Sequence, residues 1–240
     1  SCASCTSASA RRLRPAERRS ASQRRMSDGV EDAAVVFVHG LWMTGLESFA
    51  LRHHVVHGRG WLWCAFHYSS VVQSQTDVVA ALHATVRTLT ASSVHLVGHS
   101  LGGLIIQRAL EQASGWAPGR VVFLGTPSLG SRAAEQLHAL PFGDWLLGHA
   151  AEPLLDPAQR QWRFGRELGI VAGTHPVSIG KPLAQFAADE PNDGLVSVAE
   201  TRLPGATAHL TLPVSHTGML FSADVARQVC EFLATGRFQV

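Results

Sequence analysis

Short apolar runs rich in β-branched residues alternate with segments of helical periodicity along most of this chain, and no other feature limits its possible folds so sharply. Residues 33–38 (AAVVFV) form a continuous apolar run, the pattern of a strand buried on both faces, and stop at the breaker His39-Gly40. Residues 61–66, 94–97, 120–124, 170–172 and 209–212 have the same character. Between them, Val78, Val79, Leu82, Val86 and Leu89 recur at helical spacing behind the candidate N-caps Ser74 and Thr76. Leu101, Leu104, Ile105, Ala109 and Ala113 mark a second helix, and Val225, Val229, Phe232 and Leu233 a last one between Ser222 and Gly236. A further helix is expected within 46–56. A strand followed by a helical crossover is set beside the next strand in the same direction. The predicted fold class is therefore α/β, a mainly parallel sheet of about six strands with helices on both faces. A chain of 240 residues accommodates this as one domain, expected over 33–240.

The interval 128–168 interrupts the rhythm. It holds Leu137, Leu140, Trp145, Leu146, Leu147, Leu154 and Leu155, punctuated by Pro and Gly, and no strand pattern. A structureless loop of that length is unusual in a compact domain, so short helices forming a cap or lid over the sheet are expected. An ordinary surface excursion is the plainer alternative. At the other extreme, residues 1–32 read as a disordered basic extension. Residues 1–25 contain seven Arg against one acid. A tail, a transit peptide, or residues upstream of a start at Met26 would each look like this. No apolar segment follows the arginines, so a secretory signal is not expected and a cytoplasmic location is.

Without that head the chain has 13 basic and 17 acidic residues. Its overall pI is then no argument for nucleic acid as a partner. No apolar run reaches the ~18 residues that span a bilayer, so stable membrane insertion is not expected. Four Cys are too few for a disulfide scaffold, and the lone Cys2-x-x-Cys5 has neither a second pair nor nearby His to make a zinc site. No cofactor or metal is expected.

The chemistry-bearing motif is VHLVGHSLGG at 94–103. It sets Gly98-x-Ser100-x-Gly102 between a predicted strand and a predicted helix. Such a turn strains the serine backbone and exposes its hydroxyl, while the glycines let strand and helix pass closely. The free N–H groups at the start of the helix face any negative charge forming above Ser100. A Gly/Ser helix cap without chemistry is the alternative. A tetrahedral intermediate would need two donors: the amide of Leu101, and one from the loop after the first strand, for which Leu41 is best placed. His39 in that loop reads as a brace rather than a catalyst. With 13 His in the chain, only position can identify a base. His216 lies past a strand and before the final helix, at the carboxyl edge of the sheet. Asp193, in the turn Pro191-Asn192-Asp193-Gly194, is the best-placed acid to hold its tautomer, with Asp189 and Glu190 as competitors.

Together, VVFVHGL (35–41), VGHSLGG (97–103), FLGTPSLGS (123–131), NDGLVSV (192–198) and SHTGML (215–220) resemble the α/β-hydrolase superfamily. The likeness is to lipase-like bacterial esterases and the related GPI inositol-deacylase-like group. The resemblance implies an α/β-hydrolase fold, here trimmed because the chain starts at what would be the third strand of eight. It implies Ser100, Asp193 and His216 as catalytic triad, Leu41 and Leu101 as oxyanion hole, and ester hydrolysis through an acyl-enzyme with no cofactor. No acid cluster or Cys pair carries over the calcium or disulfide of some lipases. Trp42, Met43, Leu129 and Trp145 are candidates for an apolar substrate pocket, and a small-molecule ester with a short or medium acyl chain is the expected substrate. A thioesterase or acyltransferase on the same triad, and a non-catalytic binding protein of the same fold, are the rival classes.

Overall fold

A computed structural model describes residues 32–156, 161–176 and 185–239. The expected basic extension, with Cys2 and Cys5, lies outside them except for Asp32.

Six strands form one sheet: β1 (Ala33–Val38), β2 (Leu62–Phe66), β3 (Ser93–His99), β4 (Val121–Leu124), β5 (Leu168–Gly173) and β6 (Ala208–Leu212). They run in the order β2-β1-β3-β4-β5-β6, every pair parallel. Each lies where the apolar runs predict, with shifted ends. β3 continues past Val97 because Gly98 and His99 still have partners in Phe123 and Leu124 of β4.

The unbroken apolar character of β1 follows from its position. Ala34, Val36 and Val38 face one core, and Ala33, Val35 and Phe37 face the other. Successive strand side chains point to opposite faces, so a strand covered on both sides is apolar at nearly every position. The first core is closed by α2 (Gln75–Arg87) and α3 (Leu101–Glu111), and the second by α1 (Phe49–His53) and α8 (Ala223–Thr235). Capping sets the helix starts as expected: the hydroxyls of Ser74 and Ser222 accept from the amides of Asp77 and Val225. The helix expected within 46–56 is only partly regular. A 3₁₀ turn (Leu46–Ser48) leads into α1, which widens into a π turn (His54–Gly58).

The interval 128–168 contains three short helices among the described residues, α4 (Arg132–His138), α5 (Gly143–Leu147) and α6 (Ala151–Leu155). Their Ala134, Leu137, Leu147 and Leu154 are buried in the first core. A further short helix, α7 (Val198–Thr201), follows the turn that carries Asp193. No helix among the described residues is long and apolar enough to cross a membrane.

The strand order locates the site. From β1 the chain crosses to β2 on one side, then returns to place β3 on the other. The connections leaving β1 and β3 therefore diverge, and a crevice opens at their carboxyl ends. Gly40–Leu41 follows β1 and Ser100 follows β3, both at that point.

Candidate active site

Ser100 sits at the junction of β3 and α3 with φ 53° and ψ −122°. A non-glycine residue rarely adopts such a backbone, at a cost of about 1–3 kcal/mol that its surroundings must offset. The surroundings are tight. A Cβ on Gly102 would lie 2.0 Å from the Val38 carbonyl oxygen, and one on Gly98 would lie 2.6 Å from Cα of Gly103. Only glycines let β1, β3 and α3 converge here. The Ser100 amide donates to the Leu124 carbonyl at 2.8 Å, tying the turn to β4. The Ser100 hydroxyl makes no capping bond to α3, so it is not the inert helix cap of the alternative reading.

Asp193 and His216 meet across a buried hydrogen bond, His216 Nδ1 to Asp193 Oδ2 at 2.7 Å. The other carboxylate oxygen accepts from the amides of Leu195 and Val196 at 3.0 and 2.7 Å. The His216 amide also donates to the Asp193 carbonyl at 3.0 Å. Proton sharing at Nδ1 leaves Nε2 of a neutral His216 as an acceptor. Glu190, one competitor for the acid, is engaged elsewhere. Its carboxylate pairs with Arg132, at 2.9 Å through one oxygen, and that guanidinium holds it down at about 2. Asp189 is exposed.

Ser100 and His216 line one cavity of about 200 Å³. Its walls come from Leu41, Trp42 and Met43 after β1, and from Ala134, Leu137, Leu147 and Leu154 of α4 to α6. Leu101 begins α3 and is buried, so its amide has no partner within the helix. Of the four pocket candidates, Trp42 and Met43 line the cavity. Leu129 instead packs half-buried against the first core, and Trp145 is 77% exposed; neither lines it. Trp145 lies on the solvent side of α5, whose Leu147 faces inward, and apolar character alone does not distinguish those two sides.

Trp42 itself is strained, with φ 56°. Its amide donates to Ser70 Oγ at 3.0 Å and its indole N–H to the Leu146 carbonyl at 3.2 Å, which links the loop after β1 to α5. His39 acts as the expected brace. It is stacked on Tyr68, bonds the Gly40 carbonyl through Nδ1 at 2.9 Å, and burial lowers its pKa.

Two residues have contacts at the site that the sequence does not announce. Gly125, just after β4, has φ 56°, and a Cβ there would crowd the pair, 3.1 Å from both Asp193 Oδ2 and His216 Nδ1. Its place directly after a strand, in FLGTPS, is the available signal. His99 is buried and bonds the His216 carbonyl through Nε2 at 3.0 Å, across 117 positions of sequence. No sequence pattern announces such a contact.

A family model for the alpha/beta hydrolase family matches residues 35–235. The chain belongs to the alpha/beta hydrolase family. Among solved structures, this alpha/beta hydrolase is similar to the Bacillus licheniformis lipase BlEst2 in its propeptide form, with TM-score 0.63 and 21% identity over 88% of this chain and 51% of that one. It thus spans about half the length of that lipase. A lipase-esterase related protein from Clostridium acetobutylicum gives TM-score 0.59 and 13% identity, covering 84% of this chain and 95% of the other. The Vlm2 thioesterase domain bound with a dodecadepsipeptide gives TM-score 0.59 and 16% identity, covering 85% and 94%. At these identities the likeness is one of fold. No curated protein matches the chain.

Proposed function

We propose that this alpha/beta hydrolase cleaves carboxylic esters, with Ser100 as nucleophile, His216 as base and Asp193 as orienting acid. The observation that carries the reading is the Asp193–His216 pair beside a strained, uncapped serine on the same cavity. In the first step Ser100 Oγ attacks the ester carbonyl carbon and its proton passes to His216 Nε2. The amides of Leu41 and Leu101 stabilise the oxyanion. Collapse breaks the bond to the alcohol, which leaves with the proton from Nε2. Water then attacks the acyl carbon and gives a proton to His216 Nε2; the bond to Ser100 Oγ breaks, the acid leaves, and the proton passes from Nε2 to Oγ to restore Ser100. The segment 128–168 serves as a cap whose α4 to α6 close the acyl pocket. A cavity of about 200 Å³ with mostly apolar walls suits a short or medium acyl chain.

The test is a panel of chromogenic esters and thioesters of increasing acyl length, run on wild type and Ser100→Ala together. Turnover should peak at short or medium esters and fall by on the order of 10³-fold or more in the variant. Faster turnover of thioesters would replace the ester reading with the thioesterase one. Equal turnover by Ser100→Ala would end both.

A further inference from the structure

His99 precedes the proposed nucleophile, and its side chain reaches the proposed base. The ring is 1% exposed, and its Nε2 lies 3.0 Å from the His216 carbonyl oxygen. A carbonyl oxygen only accepts, so His99 carries its proton on Nε2. The other nitrogen, Nδ1, is buried with no hydrogen-bond partner among the described residues. It packs toward the loop after β1, where a Cβ on Gly40 would stand 3.0 Å from it and 3.1 Å from Cβ of Ser100. The two imidazoles of His99 and His216 lie 4.8 Å apart, tilted by 50°.

These contacts amount to a short rigid link. Ser100 is bonded covalently to His99, and His99 is hydrogen-bonded to the main chain of His216. The carboxylate of Asp193 fixes the base from its ring side, and the Asp193 carbonyl fixes its amide at 3.0 Å. The remaining main-chain group of His216, its carbonyl, is held by His99. We infer that His99 is a positioning residue: its Nε2–H grips the His216 carbonyl and thereby sets the separation of base and nucleophile. The inference rests on the ester-hydrolase reading of the site. Burial, with the neighbouring His216 ring, pushes the His99 pKa down to about 3, which favours the neutral ring.

The experiment compares His99→Phe, which keeps a flat ring and deletes the donor, with His99→Gln, whose amide N–H₂ can reach the same carbonyl. The readouts are the second-order rate of inactivation by a fluorophosphonate, and kcat and KM on a chromogenic ester, with circular dichroism to establish folding. His99→Phe should lose about 10- to 100-fold in both inactivation rate and kcat, because a small misplacement of reacting groups has that effect, with KM nearly unchanged. His99→Gln should recover most of the loss. Wild-type rates in a folded His99→Phe, or a Gln variant as slow as Phe, would overturn the strut while leaving the hydrolase reading intact. An unlabelled wild type would overturn that reading itself, and the strut with it. Nitrogen NMR of wild type decides the case if His99→Phe does not fold: His99 should be protonated at Nε2 alone from pH 5 to 8, and a proton at Nδ1 would refute the proposal.

Discussion

Asp193 has both carboxylate oxygens occupied before any substrate arrives: one by two backbone amides, the other by the His216 ring. The amides orient the carboxylate, and the carboxylate orients the imidazole, so the direction of the proposed base follows from the turn Asn192-Asp193-Gly194. Asp193→Asn tests that chain of dependence. The asparagine can keep its oxygen on the two amides, but it then presents N–H₂ to Nδ1. His216 is forced into the tautomer with its proton on Nε2, where it cannot accept from Ser100. Turnover of a chromogenic ester should fall by on the order of 10⁴-fold, with the thermal midpoint little changed. Activity within tenfold of wild type would contradict the assigned role. The nearness of Asp193 to His216 was legible in sequence, because a turn between a strand and a later histidine can carry an acid to it. Its geometry was not, since it is fixed by amides whose directions depend on the folded turn. The same holds for His99: its neighbour Ser100 is marked by a local motif, whereas its own partner is set by how two distant loops pack.

At the scale of the elements, the convergence of β1, β3 and α3 is the structural condition for the site. Gly102→Ala would drive a methyl group into the Val38 carbonyl, a main-chain group with no flexible side chain to move aside. It should cost at least the ~1–3 kcal/mol of an overpacked core position, read as a lower denaturation midpoint, and activity should fall with it. An unchanged midpoint would mean that strand and helix do not meet as closely as 2.0 Å implies. In the same helix Ile106 is fully buried, and Ile106→Ala should cost about 2–5 kcal/mol by leaving a cavity. Strand positions were legible here because a doubly covered strand is apolar at nearly every position, His95 of β3 being a buried exception. Helices α4 to α6 were legible only as an interval lacking strands, since runs of five to seven residues show too few turns to declare an amphipathic face. That is also why Trp145, on the outer side of α5, was mistaken for a pocket residue.

For the molecule as a whole, buried neutral histidines tie stability to pH. His95 stacks on Trp61 and accepts from the Arg120 amide at 2.9 Å, and burial pushes its pKa down to about 4. His99 is pushed lower still. In the unfolded chain both titrate near the ordinary ~6.5, so between that pH and their folded values the unfolded state binds more protons. Stability from these groups is complete above ~6.5 and is lost as pH falls towards 4, at about 1.4 kcal/mol per unit of separation. Thermal midpoints should therefore drop from pH 7 to pH 4.5. His95→Asn, which keeps an acceptor for the Arg120 amide but cannot titrate, should show a shallower decline; an equally steep one would assign the acid sensitivity elsewhere. The overall architecture was the most legible level, because alternating strands and helices leave few parallel arrangements. The cavity, by contrast, depends on which sides of short helices turn inward.

The proposed reaction requires that the buried Asp193–His216 pair make Ser100 nucleophilic. Reaction with a fluorophosphonate followed by peptide mass spectrometry tests this most directly. One adduct per chain is expected, located on Ser100, with labelling lost in Ser100→Ala and strongly slowed in His216→Ala. An adduct on another residue, or undiminished labelling of Ser100 without His216, would contradict it.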